Sequence, residues 1–327
     1  MKDLETKPVN KGTARTMYYG KGDVFVYRTY AKPLKGIKKI PESNFKGRNN
    51  TILGMDIQVA LKGDAFLPSF TKGDNTSVIA TDSMKNFILY HAGEFEGSTM
   101  EEFLEFVSGK FLETYSHING VTISGKQFPF QEVEIPSEQE FTPSDTVFRQ
   151  GLLEQPYASL EMERTEEDKF QVVDQWSGVE GLRLMKVKGS SFYGFIKDEY
   201  TTLPETFDRP LFIYLNIRWR YKNPKDAHGK RPVNYVCAEQ VVQIAQTMFH
   251  QEDSPSIQYL IYVIGKRILM RFPELGEVTF ESNNRTWDTV LEEIPSSLKG
   301  KVFTDPRPPY GFQVFSMTPE EVKEWEK

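Results

Sequence analysis

The chain has 327 residues, a length that predicts two domains, each large enough to bury its own core. Its 40 Lys and Arg residues against 46 Asp and Glu give a net charge of −6, which argues against a general nucleic-acid binder because such proteins need a basic surface. Cys237 is the only cysteine, so we expect no intrachain disulfide.

The chain also lacks the patterns of membrane or exported proteins. It has no run of about 18 apolar residues, so we expect no membrane span and no membrane partner. Residues 1–16 are polar and lack the apolar core of a secretory signal, and we interpret them as a flexible arm. The predicted compartment is therefore the cytoplasm.

The first half of the chain alternates strand patterns with one clear helix. Strands are predicted over 24–30 and 52–61, separated by a long loop rich in Lys, Gly and Pro. A helix should begin near Ser98 or Thr99, which both start a capping box, and its face of Phe103, Val107 and Phe111 should pack in the core.

The second half begins near Glu154 and repeats this plan. Strands are predicted around 158–162, 170–173, 182–187, 211–219, 277–280 and 311–315, with helices capped by Asn234 and beginning at Ser254. The order indicates a duplicated α+β unit with helices on one face of antiparallel sheets, divided into domains 1–153 and 154–327. Exposed edges of such sheets favour closure into a barrel by another subunit.

The stretch 77–86 combines an apparent buried strand with reactive groups. Val78-Ile79-Ala80 has strand character, and Thr81 and Asp82 follow at once. Polar groups beyond a rigid strand are candidates for chemistry, whereas the structural alternative is a helix start with Thr81 or Asp82 as its N-cap.

Metal and nucleotide motifs are poorly supported. The four histidines are scattered, without the close spacing of metal ligands, so we expect no metal site. Residues 120–127 resemble a phosphate-binding loop, but Gln127 occupies the place of the required Ser or Thr.

Three polar or aromatic residues of the second half are candidate ligand contacts. Arg209, before the strongest strand, either pairs with a surface carboxylate or offers a planar fork to an anion. Gln258 lies in the first turn of a predicted helix, where backbone N–H groups favour anions, although a solvated role is the alternative. Phe192 belongs to the core or presents its ring face for stacking.

Long motifs around these residues resemble the urate oxidase family, closest to its Bacillus-type uricases. They are Tyr19-Gly20-Lys21, residues 78–86 (VIATDSMKN), residues 192–203 (FYGFIKDEYTTL) and Asp208-Arg209. The resemblance covers about 18–315. It implies tandem tunnelling-fold domains, a homotetramer of two stacked barrels with active sites between subunits, and oxidation of urate by O2 without metal or organic cofactor.

The resemblance also implies a role for individual residues. Lys21 and Thr81 would form a proton relay, with Asp82 beside them. Arg209 and Gln258 would grip urate, with the backbone N–H of Ile257 assisting and the ring of Phe192 stacking on the purine. Asn284 would hold O2 or water above the ring.

One position departs from the family pattern. Many members have a histidine two residues after the asparagine, where this chain has Thr286, preceded by Arg285. Either Thr286 completes the relay together with water, or the positive charge of Arg285 repels the protonated form of the lysine. The alternatives to a urate oxidase are a catalytically inactive purine-binding protein of this fold and another purine or pterin enzyme of this fold.

Overall fold

The computed structural model describes residues 16–137, 140–151, 153–285, 287–304 and 309–325. The predicted arm therefore lies almost wholly outside the described residues. The elements of the first half are β1 (Tyr18–Thr29), β2 (Leu34–Lys35), β3 (Gly47–Arg48), β4 (Ile52–Lys62), a 3-10 turn (Asp64–Phe66), α1 (Leu67–Lys72), α2 (Thr81–Glu94), α3 (Met100–Thr114), β5 (Gly120–Phe128), β6 (Phe130–Pro136), β7 (Phe141–Gln150) and β8 (Gln155–Arg164).

The second half continues the same large sheet. Its elements are β9 (Phe170–Lys186), β10 (Leu211–Tyr221), a 3-10 turn (Pro224–Ala227), α4 (Ala238–Gln251), α5 (Ile257–Arg271), β11 (Leu275–Arg285), β12 (Asp288–Leu291), β13 (Val302–Thr304), β14 (Gly311–Met317) and α6 (Pro319–Trp325). Among these helices, none combines the length and apolar character that crossing a bilayer requires.

Within the described ranges, eight strands form one antiparallel sheet in the order β1-β4-β5-β8-β9-β10-β11-β14. Each half contributes two strands, two long helices and two strands, in the same order. Strand β10 alternates buried and half-buried residues along its whole length, as expected when one face of a sheet packs against helices. The predicted antiparallel α+β architecture is confirmed.

Two hydrophobic cores lie on the helix-covered face. The first runs from Val24 to Met162, and the second, apart from Ile40, runs from Val179 to Val322. Since Ala158 and Met162 of β8 pack in the first core, we propose that the domains meet in the turn 165–169 rather than at the predicted 153/154 boundary.

The loop 32–50 ties the two halves together. Leu34 and Ile37 pack with Tyr235 and Cys237 in a small third cluster, and Ile40 joins the second core. A segment of the first half is thereby anchored on the second, which limits relative motion of the two halves.

Local boundaries differ from prediction at three helices. Residues 78–80 are not a strand, and helix α2 begins at Thr81 with Ala80 as its N-cap. Helix α4 is capped by Cys237, not Asn234, and α5 by Ser256, whose hydroxyl accepts from Tyr259 N–H at 3.1 Å. Within the part of the chain that is described, Ala80 and Cys237 make no side-chain cap hydrogen bond, and the Asn234 amide donates to Asp226 at 2.9 Å instead of capping α4. Among these three helices, only at α5 does a polar side chain mark the helix start, two residues after the predicted one.

The predicted helix of the first half is confirmed. Thr99 is the N-cap of α3 and accepts from Glu102 N–H at 3.3 Å. Phe103, Val107 and Phe111 are fully buried, as the apolar face predicts. The alternative box from Ser98 to Glu101 does not form, because the Glu101 carboxylate is buried and accepts from Ser177 and Tyr235 instead.

Candidate active site

The predicted relay lysine lies on β1 beside a bulge. Lys21 pairs with Val59, but Val24 pairs with Ile57, so one extra residue stands in β1 between these pairs. A bulge of this kind bends the strand and redirects nearby side chains. The neighbouring Gly20 is required by close approach, since a Cβ there would overlap the Val59 carbonyl oxygen of the facing strand.

The other predicted members of this group begin helix α2. Thr81 is the first helical residue and is exposed, and Asp82 follows in the first turn, where the helix dipole favours a carboxylate. Asp82 accepts from Lys85 Nζ at 2.7 Å and from Asn86 Nδ2 at 3.1 Å. The hydrogen bond from Lys85 lowers the pKa of Asp82, and the charge of Lys21 adds to this effect. Lys21 and Asp82 are thus electrostatic neighbours within one chain.

A second group forms around Arg209 and Phe192. The Arg209 guanidinium carbon lies 5.5 Å from the centroid of the Phe192 ring, in a cation–π contact. Burial lowers the pKa of Arg209, and its Nε is buried with no hydrogen-bond partner in the described ranges. The surface ion pair considered from sequence is not formed, because Asp208 accepts from Gly189 N–H and Glu205 pairs with Lys197. A half-buried guanidinium with an unused donor is suited to an anionic ligand.

Backbone pairing fixes the positions of this group. Phe192 and Thr206 exchange two backbone hydrogen bonds of 2.7 and 2.9 Å, and Arg209 N–H donates to Ser190 C=O at 2.8 Å. Ser191 N–H donates to Ser254 C=O at 3.0 Å, which holds the segment next to the residues that lead into α5. The ring and the guanidinium therefore stand on a closed loop at the helix entrance.

Ile257 and Gln258 are the first two residues of α5. The first N–H groups of a helix have no acceptor within it, and they carry the positive end of the helix dipole. Ile257 is buried, whereas the side chain of Gln258 is exposed. This helix start can bind an anionic edge next to Arg209.

Asn284 lies near the end of β11 and pairs with Ile213 of β10 and with Gly311 of β14. Because cross-strand partners share a face and Ile213 is fully buried in the second core, Asn284 lies on the helix-covered face. Thr286 lies outside the described residues.

The structure brings the predicted residues together as two groups rather than one. Strand β1 carries Lys21 and lies six strand spacings from β11, or roughly 29 Å along the sheet. Following the pairing, Lys21 aligns with Gln175 of β9 and Asn284 with Leu184, a further offset of about 30 Å along that strand. The lysine group and the arginine group therefore stand at opposite corners of the sheet.

Two contacts at these groups escaped sequence reasoning. The Tyr19 hydroxyl binds the backbone of Ile79, just before Thr81. The Phe195 ring stacks on Phe192 with centroids 4.9 Å apart. Tyr19 and Phe195 both belong to the motifs on which the family resemblance rests. The contact of Tyr19 with Ile79 joins residues 60 positions apart, so no local sequence pattern indicates it.

The family model for uricase matches residues 17–160 and 175–314. The Bacillus subtilis (strain 168) "Uric acid degradation bifunctional protein PucL" is 53% identical over 321 residues, which are 98% of this chain and 65% of the relative. The Halalkalicoccus jeotgali "Uricase" is 50% identical over 308 residues, 94% of this chain and 100% of the relative. The chain thus spans less than two thirds of the length of the bifunctional Bacillus relatives.

Solved structures give the same result. The urate oxidase of Bacillus sp. TB-90 superposes with a TM-score of 0.90 at 53% identity, covering 93% of this chain and 100% of that one. The uricase from Bacillus fastidious superposes with a TM-score of 0.91 at 54% identity, covering 96% of this chain and 97% of that one. With a family model that spans most of its length and relatives at such identity, the chain belongs to the uricase family.

Proposed function

We propose that this chain oxidises urate with O2 and water to 5-hydroxyisourate and H2O2, in the cytoplasm and without metal or organic cofactor. The observation that carries the proposal is the Arg209 guanidinium over the Phe192 ring, with a buried, unused donor, beside the start of α5. Urate is flat and anionic at neutral pH, so it needs both a ring face and a cationic fork.

Binding is assigned to the arginine group. Arg209 and Gln258 would hold one edge of urate, the N–H of Ile257 would assist, and the purine plane would stack on Phe192. The stacking of Phe195 on Phe192 supports this geometry, because the Phe192 ring is then held in the same orientation with or without the ligand.

Proton removal is assigned to the lysine group. Lys21 would accept a proton relayed through Thr81. Asp82, whose pKa the charge of Lys21 helps to lower, would keep a negative charge beside this relay. Thr286 would complete the relay, directly or through water, and Asp82 would contact the substrate.

Electrons then come from the substrate. Deprotonated urate gives two electrons to O2, which leaves as H2O2 after taking up two protons, and water adds to the oxidised ring to give 5-hydroxyisourate. Asn284 and Thr81 would hold first O2 and then water above the ring. The protein contributes orientation and proton transfer to a reaction whose reductant is urate itself.

The separation of the two groups supports a site shared between subunits. Neither corner of the sheet offers both the relay and the anion grip, so a second copy of the chain would supply the missing half. Strands β1 and β14 are the sheet edges, and exposed aromatic residues stand on both, among them Tyr27 and Phe312. Pairing of such edges between copies would close a tunnelling-fold barrel, and two barrels would form the homotetramer.

The direct test follows the near-ultraviolet absorbance of urate in aerobic buffer, using chelator-treated protein and a parallel peroxide assay. Loss of urate with equal formation of peroxide is the expected result. Tight binding of xanthine without turnover would instead identify a catalytically inactive purine-binding protein. Activity that the chelator abolishes would contradict the metal-free chemistry and favour another enzyme of this fold.

A mixing experiment tests the shared site. Lys21→Met and Arg209→Ala should each inactivate a homogeneous sample, because each removes one half of every site. Co-expressed with different affinity tags and purified as mixed oligomers, the two variants should recover about a quarter of wild-type activity, since half of the subunit pairs are mixed and one of their two sites is intact. Mixed oligomers without recovered activity would place both groups of one site in the same chain.

A further inference from the structure

We propose that Tyr19 positions the residues of the proton relay by fixing the start of helix α2 against strand β1. This inference rests on the function proposed above. The new element is the contact that sets the spacing between Lys21 and Thr81.

The contact is a double hydrogen bond from one hydroxyl to one peptide residue. Tyr19 Oη accepts from Ile79 N–H at 2.7 Å and donates to Ile79 C=O at 3.2 Å. Satisfying both backbone groups of Ile79 leaves that residue little freedom to move relative to the tyrosine. Burial raises the pKa of Tyr19, so the phenol stays protonated and keeps its donor.

The two residues that this contact joins, Tyr19 and Ile79, each stand close to a member of the proposed relay. Tyr19 stands two residues before Lys21 on β1, so their side chains share a face of the strand. Ile79 stands two residues before Thr81, which begins α2. The bond therefore joins the strand that carries the lysine to the segment that delivers the threonine.

The tyrosine is itself held in place. Its ring meets the fully buried Phe66 edge-on, with centroids 4.8 Å apart at 90°. His117 also holds this segment, through a hydrogen bond of 3.0 Å between its Nε2 and Ser77 C=O, four residues before Thr81. Tyr19 is thus the anchor nearer to the threonine, and it is the one attached to the strand of Lys21.

This arrangement explains why residues 78–80 are not a strand. The backbone groups of Ile79 meet the Tyr19 hydroxyl rather than a neighbouring strand. Val78 N–H donates to Asn75 C=O in a turn, and Ala80 C=O accepts the first hydrogen bond of α2, from Met84 N–H. A tyrosine used this way sets a distance between two elements without contacting the substrate.

The variant Tyr19→Phe removes the hydroxyl and leaves the ring on Phe66. We expect kcat for urate to fall about tenfold. KM and xanthine affinity should stay within about twofold of wild type, because purine binding is assigned to the group around Arg209 and Phe192. The solvent deuterium isotope effect on kcat should rise, since a misplaced relay makes proton transfer slower. Tyr115→Phe is the matched control, because it removes the hydroxyl from a second ring of the same core, which packs against Phe111. It should leave kcat and the isotope effect unchanged.

A double-mutant cycle and hydrogen exchange make the test specific. If Tyr19 acts through the relay, Tyr19→Phe should lower kcat no further in a Lys21→Met background. The amides of residues 77–84 should exchange at least about tenfold faster in Tyr19→Phe than in Tyr115→Phe.

The outcomes separate this inference from the proposed function. A wild-type protein that oxidises urate, together with a Tyr19→Phe variant of unchanged kcat, overturns the inference and leaves the function standing. A wild-type protein inactive toward urate overturns the function, and the exchange rates alone then decide whether Tyr19 fixes the helix start. Additive effects of the two substitutions would mean that Tyr19 does not act through Lys21.

Discussion

Glu42 joins the two halves of the molecule, and its removal should cost measurable stability. This residue of the loop 32–50 accepts from Arg267 at 2.6 Å and from Arg271 at 2.8, 2.9 and 3.1 Å, both in α5. Burial of the Glu42 carboxyl would raise its pKa, but the hydrogen bonds from Arg271 and Arg267 outweigh burial and lower the pKa from 4.5 to about 2.

The size of the effect follows from this shift. A pKa lowered from 4.5 to about 2 corresponds to roughly 3 kcal/mol of stability at neutral pH. Because Arg267 and Arg271 are 29% and 31% exposed, solvent screening reduces the expected value to about 2 kcal/mol. Glu42→Gln should lower the free energy of unfolding by that amount.

The sign of the pH dependence is fixed by the direction of the shift. A lowered folded-state pKa means that the contribution is fully present above the unfolded-state value of 4.5 and is lost as pH falls toward about 2. The gap between wild type and Glu42→Gln should therefore be constant from neutral pH to about 5 and narrow below it.

Urea unfolding at one fixed protein concentration, followed by tryptophan fluorescence at several pH values, measures this gap. Glu113→Gln is the control, because its ion pair with Lys110 is half exposed and should contribute less than about 0.5 kcal/mol. Equal stability of the two variants at pH 7, or a gap that does not narrow by pH 3, would refute the reasoning.

Three further predictions concern activity. Arg209→Lys should raise the KM for urate by about tenfold or more, since an ammonium cannot reproduce the planar fork over Phe192; an unchanged KM in steady-state assays would contradict this. Phe195→Leu should weaken xanthine binding several-fold in calorimetry, whereas Phe207→Leu, on the same loop but 72% exposed, should not; equal effects would mean that the ring behind Phe192 is irrelevant. Gly20→Ala should lower kcat at least about tenfold while the variant still folds, because the added Cβ pushes β1 away from β4; retained kcat would show that the strand spacing is not needed.

Local patterns predicted most of the scaffold. The alternation in 211–219 and the apolar face of α3 each reflect a regular period set by the backbone, so they could be recognised without knowledge of the fold. The starts of α4 and α5 could not, because α4 begins after Cys237 without a side-chain cap, and α5 is preceded by two serines, Ser254 and Ser256, of which the second is the cap.

The candidate site was predicted as a set of residues, but its arrangement was not. The sequence by itself determined the residue types, since long motifs place the lysine, threonine, arginine and phenylalanine at fixed points of the chain. Only the tertiary structure decided that Arg209 lies over Phe192 and that Tyr19 holds Ile79, because such contacts join residues 17 and 60 positions apart. Strand order likewise decided that Lys21 and Asn284 stand at opposite corners of one sheet. Hydrogen bonding between strands depends on partners distant in the chain, and no local pattern carries that information.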